Sequence, residues 1–96
     1  MKLVYKITFP NGKIYVGKDL TGCAYYFGSP SKGGVARIKA DFTEEQLMDF
    51  TVRKEVLWKS EEATNQEVHT EEMRWIRLLQ AHNPNVGYNQ NPKWKG

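Results

Sequence analysis

The chain has 96 residues, 40% of them apolar and 12% aromatic, which supports one hydrophobic core, leaves no room for a second and excludes a disordered tail. Charged residues of both signs make up 26% and the net charge is +3, a mild basic bias that suits a polyanionic partner. The single cysteine, Cys23, excludes an intramolecular disulfide, and with His69 and His82 as the only histidines no cluster has zinc-ligand spacing, so a reducing, cytoplasmic setting is expected.

From Lys2 to Thr8 apolar and polar residues alternate, and Lys13 to Lys18 does the same, so both stretches read as strands; neither contains the apolar run of a signal peptide or a membrane span. Between them lies "PNG". Pro10 suits the first position of a type I turn, with Asn11 next and Gly12 in the left-handed bulge position. This three-residue loop pairs Phe9 with Lys13, Ile7 with Tyr15 and Tyr5 with Gly17, which sets Tyr5 and Tyr15 on one face. A two-residue Asn11–Gly12 loop would set them on opposite faces.

Residues 19–34, "DLTGCAYYFGSPSKGG", hold four glycines and a proline and read as a long loop. "VARIKADF" then reads as a short helix, and Thr43 with Gln46 forms a capping box opening a second, "TEEQLMDF". "TVRKEVLWK" alternates Val52, Lys54, Val56 and Trp58 against Arg53, Glu55, Leu57 and Lys59, as a third strand would. Thr64 with Glu67 is another capping box, opening a long amphipathic helix from Asn65 to about His82, which "NPNVGYNQNP" ends with turn chemistry. The expected fold is one small α/β (α+β) domain over residues 1–96, a three-stranded antiparallel or mixed sheet flanked by helices in the order β-β-α-α-β-α.

At ~100° per residue, Val68, Trp75, Ile76 and Leu79 form the apolar stripe of the long helix, and Glu72 sits in its middle. Four residues from both Val68 and Ile76, Glu72 is expected to aim at the sheet, where a carboxylate must be paired or hold a metal to offset its lost solvation. A structural ion pair with a strand Arg or Lys and a functional carboxylate both satisfy that demand. Glu67, Glu71 and Arg74 fall on solvated positions.

Together these pieces resemble the GIY-YIG nuclease domain family. "VYK" at Val4 to Lys6 stands where that family has its first tyrosine motif, and "YVG" at Tyr15 to Gly17 stands for the second. "EMRWI" at Glu72 to Ile76 is similar to its metal-binding glutamate helix, and "GYN" at Gly87 to Asn89 to its C-terminal asparagine motif. The four matches come in order and cover nearly the whole chain. The resemblance implies a DNA endonuclease with one divalent ion, Mg²⁺ or Mn²⁺, on Glu72. It implies further that Tyr5 and Tyr15 position or deprotonate the attacking water, that Asn89 braces the site and that the glutamate helix lies across the tyrosine face. One carboxylate suffices for such an ion, since a hard cation completes its shell with water and phosphate.

The family's usual members carry an arginine, often followed a turn later by a histidine, soon after the second tyrosine motif; here the corresponding stretch has neither. Arg37, the nearest basic residue, is the candidate for gripping the phosphate through its planar fork. Lys18 follows "YVG" directly and is a candidate for lowering a tyrosine pKa or holding the phosphate, although its strand parity is opposite to that of Tyr15. Lys32, Lys39, Arg53 and Arg74 are candidate phosphate contacts, Tyr25, Tyr26 and Phe27 candidate stacking residues, and "WKG" a basic aromatic tail. Cys23 has no neighbouring base to activate it. Sequence reading by such an enzyme would come from a homodimer or from fusion to a separate DNA-recognition domain. The alternative is a nucleic-acid-binding module on the same fold with weak or no catalysis.

Overall fold

The computed structural model of the chain describes residues 1–20 and 32–96, with side chains for all of these except 32–35. The expected stacking residues Tyr25, Tyr26 and Phe27, together with Cys23 and the side chain of Lys32, lie outside the described residues. The elements are β1 (Lys2–Thr8), β2 (Ile14–Asp19), α1 (Lys32–Asp41), α2 (Glu44–Met48), β3 (Arg53–Ser60) and α3 (Asn65–Leu79). This is the expected α+β order, with a fully antiparallel sheet in the order β2-β1-β3. α1 starts at Lys32, three residues ahead of the expected boundary, and takes in Gly33 and Gly34.

The β1–β2 hairpin closes as the turn chemistry dictates. The Phe9 N–H donates to the Lys13 carbonyl at 2.9 Å, and the Gly12 N–H donates to the Phe9 carbonyl at 2.9 Å. Gly12 takes the left-handed conformation at φ 85°. Tyr5 therefore faces Gly17 and Ile7 faces Tyr15, so the two tyrosines leave the sheet on the same side.

β3 departs from its expected alternation. Val4 pairs with Trp58 while Tyr5 pairs with Val56, so Leu57 is an extra residue in a bulge. Lys54 and Val56 keep to the Tyr5 face, whereas Trp58 moves to the opposite one. The bulge lets two consecutive large apolar residues, Leu57 and Trp58, both pack into the core cluster beneath α3.

The sheet carries a core on each face. On one, Val4 and Val16 meet Val68 and Ile76 of α3. On the other, Tyr5, Ile7 and Phe9 meet Tyr88, with Ile38 of α1 and the following Phe42 and Phe50 packed against them. The expectation that the glutamate helix crosses the tyrosine face is thus corrected. Val4 and Val16 point opposite to Tyr5 and Tyr15, and the aliphatic stripe of α3 covers the aliphatic side of the sheet.

α3 opens with the expected capping box: the Thr64 hydroxyl accepts from the Glu67 N–H at 3.1 Å, and the Glu67 carboxylate accepts from the Thr64 N–H at 3.0 Å. It stops at Leu79, short of His82, because Gln80 turns left-handed at φ 57°. The chain then returns to the outer edge of β2. The Ile14 N–H donates to the Val86 carbonyl at 3.1 Å, and the Tyr88 N–H donates to the Ile14 carbonyl at 2.9 Å. This short parallel pairing brings Asn89 alongside Val16.

Candidate functional site

Glu72 sits one turn from both fully covered residues of the α3 stripe, Val68 and Ile76, and its side chain is only 15% exposed. Burial pushes its carboxyl above the usual carboxylate range, and the charge of Lys18, with that of His69 when the imidazole is protonated, pulls only partly the other way. The Lys18 Nζ lies 3.9 Å from Glu72 Oε1, and the His69 Nδ1 lies 3.6 Å from the same oxygen. Lys18 Nζ and His69 Nδ1 are 3.2 Å apart, which closes a triangle between β2 and α3. Lys18 pairs with Val4, so the parity that turns it from Tyr15 is what brings it to Glu72.

A cleft of about 200 Å³ opens beside this triangle, lined by Tyr15, His69, Glu72, Ile76, Asn89 and Gln90 among others. Asn89 is 7% exposed and supports one wall. Its Oδ1 accepts the Val16 N–H at 2.8 Å and its Nδ2 donates to the Val16 carbonyl at 2.7 Å. The side-chain amide thereby continues the pairing that the backbone begins at Ile14, and it holds the strand between Tyr15 and Gly17. Tyr15 reaches the cleft at the edge of the sheet.

Tyr5 does not line the cleft. It is 1% exposed in the opposite core, with its ring and hydroxyl lying against Gly17 and the Lys54 ammonium 5.1 Å from its ring centre. Of the residues singled out in the sequence, the cleft thus gathers Tyr15, Glu72 and Asn89, with Lys18 at its margin. His69 completes the group and was not among them. Its signal was present, since it stands three residues before Glu72 and hence on the same helix face.

Arg37 belongs to a different cluster. It lies one turn from Asp41 on α1 and contributes charge to both Asp41 and Tyr88. The Tyr88 hydroxyl donates to Asp41 Oδ2 at 2.6 Å and accepts from Asn11 Nδ2 at 2.9 Å, while the Lys13 Nζ meets the same carboxylate oxygen at 2.8 Å. Burial first, and then the hydrogen bond to Asp41, push the Tyr88 phenol up to about 12. Hydrogen bonds from Lys13 and Tyr88 hold the Asp41 carboxyl below the usual range. Tyr88 also reaches the cleft lining, so it belongs to this second cluster and borders the cleft as well. Arg37 itself is not among the residues that line the cleft.

The candidate phosphate contacts do not form one surface. Lys39 is exposed near the end of α1, while Arg74 sits on α3, across the sheet. Arg74 is held by Glu71 at 3.1 Å and lies over the Trp75 ring at 5.0 Å. Arg53, at the start of β3, is 3.6 Å from Glu55. A larger groove of about 680 Å³ runs under the C-terminal tail, lined by Arg77, His82, Lys93, Trp94 and Lys95 among others, with no acidic side chain among the described residues that line it. Gln90 and Asn91 line the cleft and Pro92 to Gly96 line this groove, so one continuous segment borders both.

No family model matches the chain, and neither a curated protein nor a solved structure does. Among the described residues no three His, Cys, Asp or Glu side chains come together as a metal site, and no helix is long and apolar enough to cross a membrane. A single half-buried carboxylate with an imidazole beside it is nevertheless a donor pair that suits a divalent cation able to complete its shell with water and phosphate.

Proposed function

We propose that the protein is a divalent-metal-dependent DNA endonuclease whose reaction takes place in the Glu72 cleft. The observation that carries this reading is Glu72 itself, a carboxylate kept largely out of water on an otherwise apolar stripe and opening onto a cleft with a tyrosine and an amide-braced strand. A buried charge of this kind is a cost to folding, and such costs concentrate at functional sites. When bound there, a divalent ion polarises the phosphoryl oxygen and eases formation of hydroxide.

The chain's own groups do the remainder. In this reading the Tyr15 phenol, at the cleft wall, holds the water that attacks in line, and Tyr5 supports it indirectly by packing against Gly17 on the neighbouring strand. Asn89 keeps Tyr15 and Gly17 in register by binding both polar groups of Val16. Lys18, on a flexible stem, supplies positive charge next to the cleft for a phosphate. Arg77, Lys93 and Lys95 line the adjoining groove, where a DNA backbone leaving the cleft meets cationic side chains.

Purified protein incubated with supercoiled plasmid and Mg²⁺ or Mn²⁺ tests the reading. Nicking is expected, and Glu72→Ala is expected to abolish it. Binding without cleavage under either ion would sink the enzymatic reading and leave a nucleic-acid-binding module. One observation favours that second reading: Arg37 neighbours Asp41, so no guanidinium is among the described residues lining the cleft.

A further inference from the structure

The Lys18–His69–Glu72 triangle has a geometry that a simple ion pair does not require. Glu72 Oε1 and His69 Nδ1 come from one face of α3, three residues apart, and stand 3.6 Å from each other. Donor atoms ~2.0–2.2 Å from a shared ion at tetrahedral or octahedral angles are separated by roughly 3–3.6 Å. The third member is a cation already, since the Lys18 ammonium lies 3.2 Å from the imidazole nitrogen and 3.9 Å from the carboxylate oxygen. It accompanies both donor atoms as a positive charge bound to them would. The Lys18 side chain is 35% exposed, so it has solvent to move into.

We propose that His69 Nδ1 and Glu72 Oε1 together form a two-point site for a first-row divalent transition ion, and that the Lys18 ammonium is the resident cation this ion displaces. The inference rests on the reading of Glu72 as the metal-binding carboxylate and adds a nitrogen ligand to it. An imidazole changes the class of ion: first-row transition ions accept a nitrogen donor beside oxygen, with affinity rising from Mn²⁺ to the later ions, whereas Mg²⁺ takes oxygen. Displacement also gives Lys18 its second position. Released from the two donors, its ammonium swings outward toward the cleft mouth, where a phosphate would lie. The remaining coordination positions are left to water and substrate, because no third His, Cys, Asp or Glu joins the pair among the described residues.

Mn²⁺ alone, without DNA, provides the probe. Free Mn²⁺ is counted by electron paramagnetic resonance at mildly alkaline pH, and the bound ion is examined for spin-echo modulation from a directly bonded histidine nitrogen. Wild-type protein is expected to bind one Mn²⁺ with that modulation. His69→Ala, at a side chain 55% exposed, should fold normally, lose the modulation and bind at least ~10-fold more weakly. Lys18→Met, which keeps the stem and removes the charge, should bind more tightly, and Glu72→Gln should not bind. Unchanged binding in His69→Ala, with loss in Glu72→Gln, would overturn the nitrogen ligand and leave the Glu72 reading standing. Weaker binding in Lys18→Met would overturn the displacement. Binding unaffected by Glu72→Gln, or no binding by the wild type, would overturn both the inference and the reading beneath it.

Discussion

Glu72 sits in a place that disfavours its charged form, and this has a consequence separable from catalysis. Its folded pKa lies above the unfolded carboxylate value, so between the two the folded chain holds a proton that the unfolded chain has released. The contribution of this group to stability therefore falls as pH rises from the unfolded value through the folded one. Glu72→Gln removes that dependence. We expect the variant to be at least as stable as wild type at neutral pH in urea unfolding, with an advantage that shrinks toward acid pH, while plasmid nicking is lost. Tyr88 provides a second titration, at the other end of the scale. Its phenol is pushed from 10.0 to about 12, so over that interval the unfolded chain loses a proton that the fold retains and stability declines as pH rises. Phenolate absorbance in an alkaline titration should show a late step, and Tyr88→Phe should reduce its amplitude by one tyrosine.

At the level of elements, β1 and β2 meet at a contact that explains a glycine. A Cβ on Gly17 would lie 2.5 Å from the Tyr5 hydroxyl oxygen and 2.6 Å from the ring carbon that bears it. Tyr5 is buried and has nowhere to shift, so Gly17→Ala should destabilise the fold by about 1–3 kcal/mol, read as a lower urea midpoint at unchanged m-value. Much of the element structure was legible because its determinants are local. "PNG" specified the hairpin register, and through it the shared face of Tyr5 and Tyr15; Thr43 with Gln46 and Thr64 with Glu67 marked two helix starts. What local pattern could not supply was the bulge at Leu57, which depends on α3 offering a surface that takes both Leu57 and Trp58. The extent of α1 was missed for a related reason, since Gly33 and Gly34 read as loop by propensity alone.

For the molecule as a whole, the sheet separates two polar clusters, one of Lys18, His69 and Glu72 and the other of Lys13, Asp41 and Tyr88 with Arg37 nearby. One chain segment borders both the cleft beside the first cluster, through Gln90 and Asn91, and the cationic groove of the tail, from Pro92 on. If that groove carries DNA, neutralising Arg77, Lys93 and Lys95 should weaken binding across sequences and reduce the slope of log affinity against log salt by about 0.9 for each phosphate that is no longer neutralised, measured by fluorescence anisotropy over a salt series. The amino-acid sequence by itself determined the element order, the tyrosine register and the aberrant position of Glu72, because turn chemistry, capping and helical period are written in residues close together in the chain. Tertiary structure alone decided which face α3 covers, that Tyr15 rather than Tyr5 reaches the cleft, that Asp41 meets Lys13 and Tyr88 and that Lys18 meets His69 and Glu72. Each of these depends on which side of a shared sheet two distant segments bury, and that is settled by the fit between apolar surfaces, here the aliphatic stripe of α3 against Val4 and Val16.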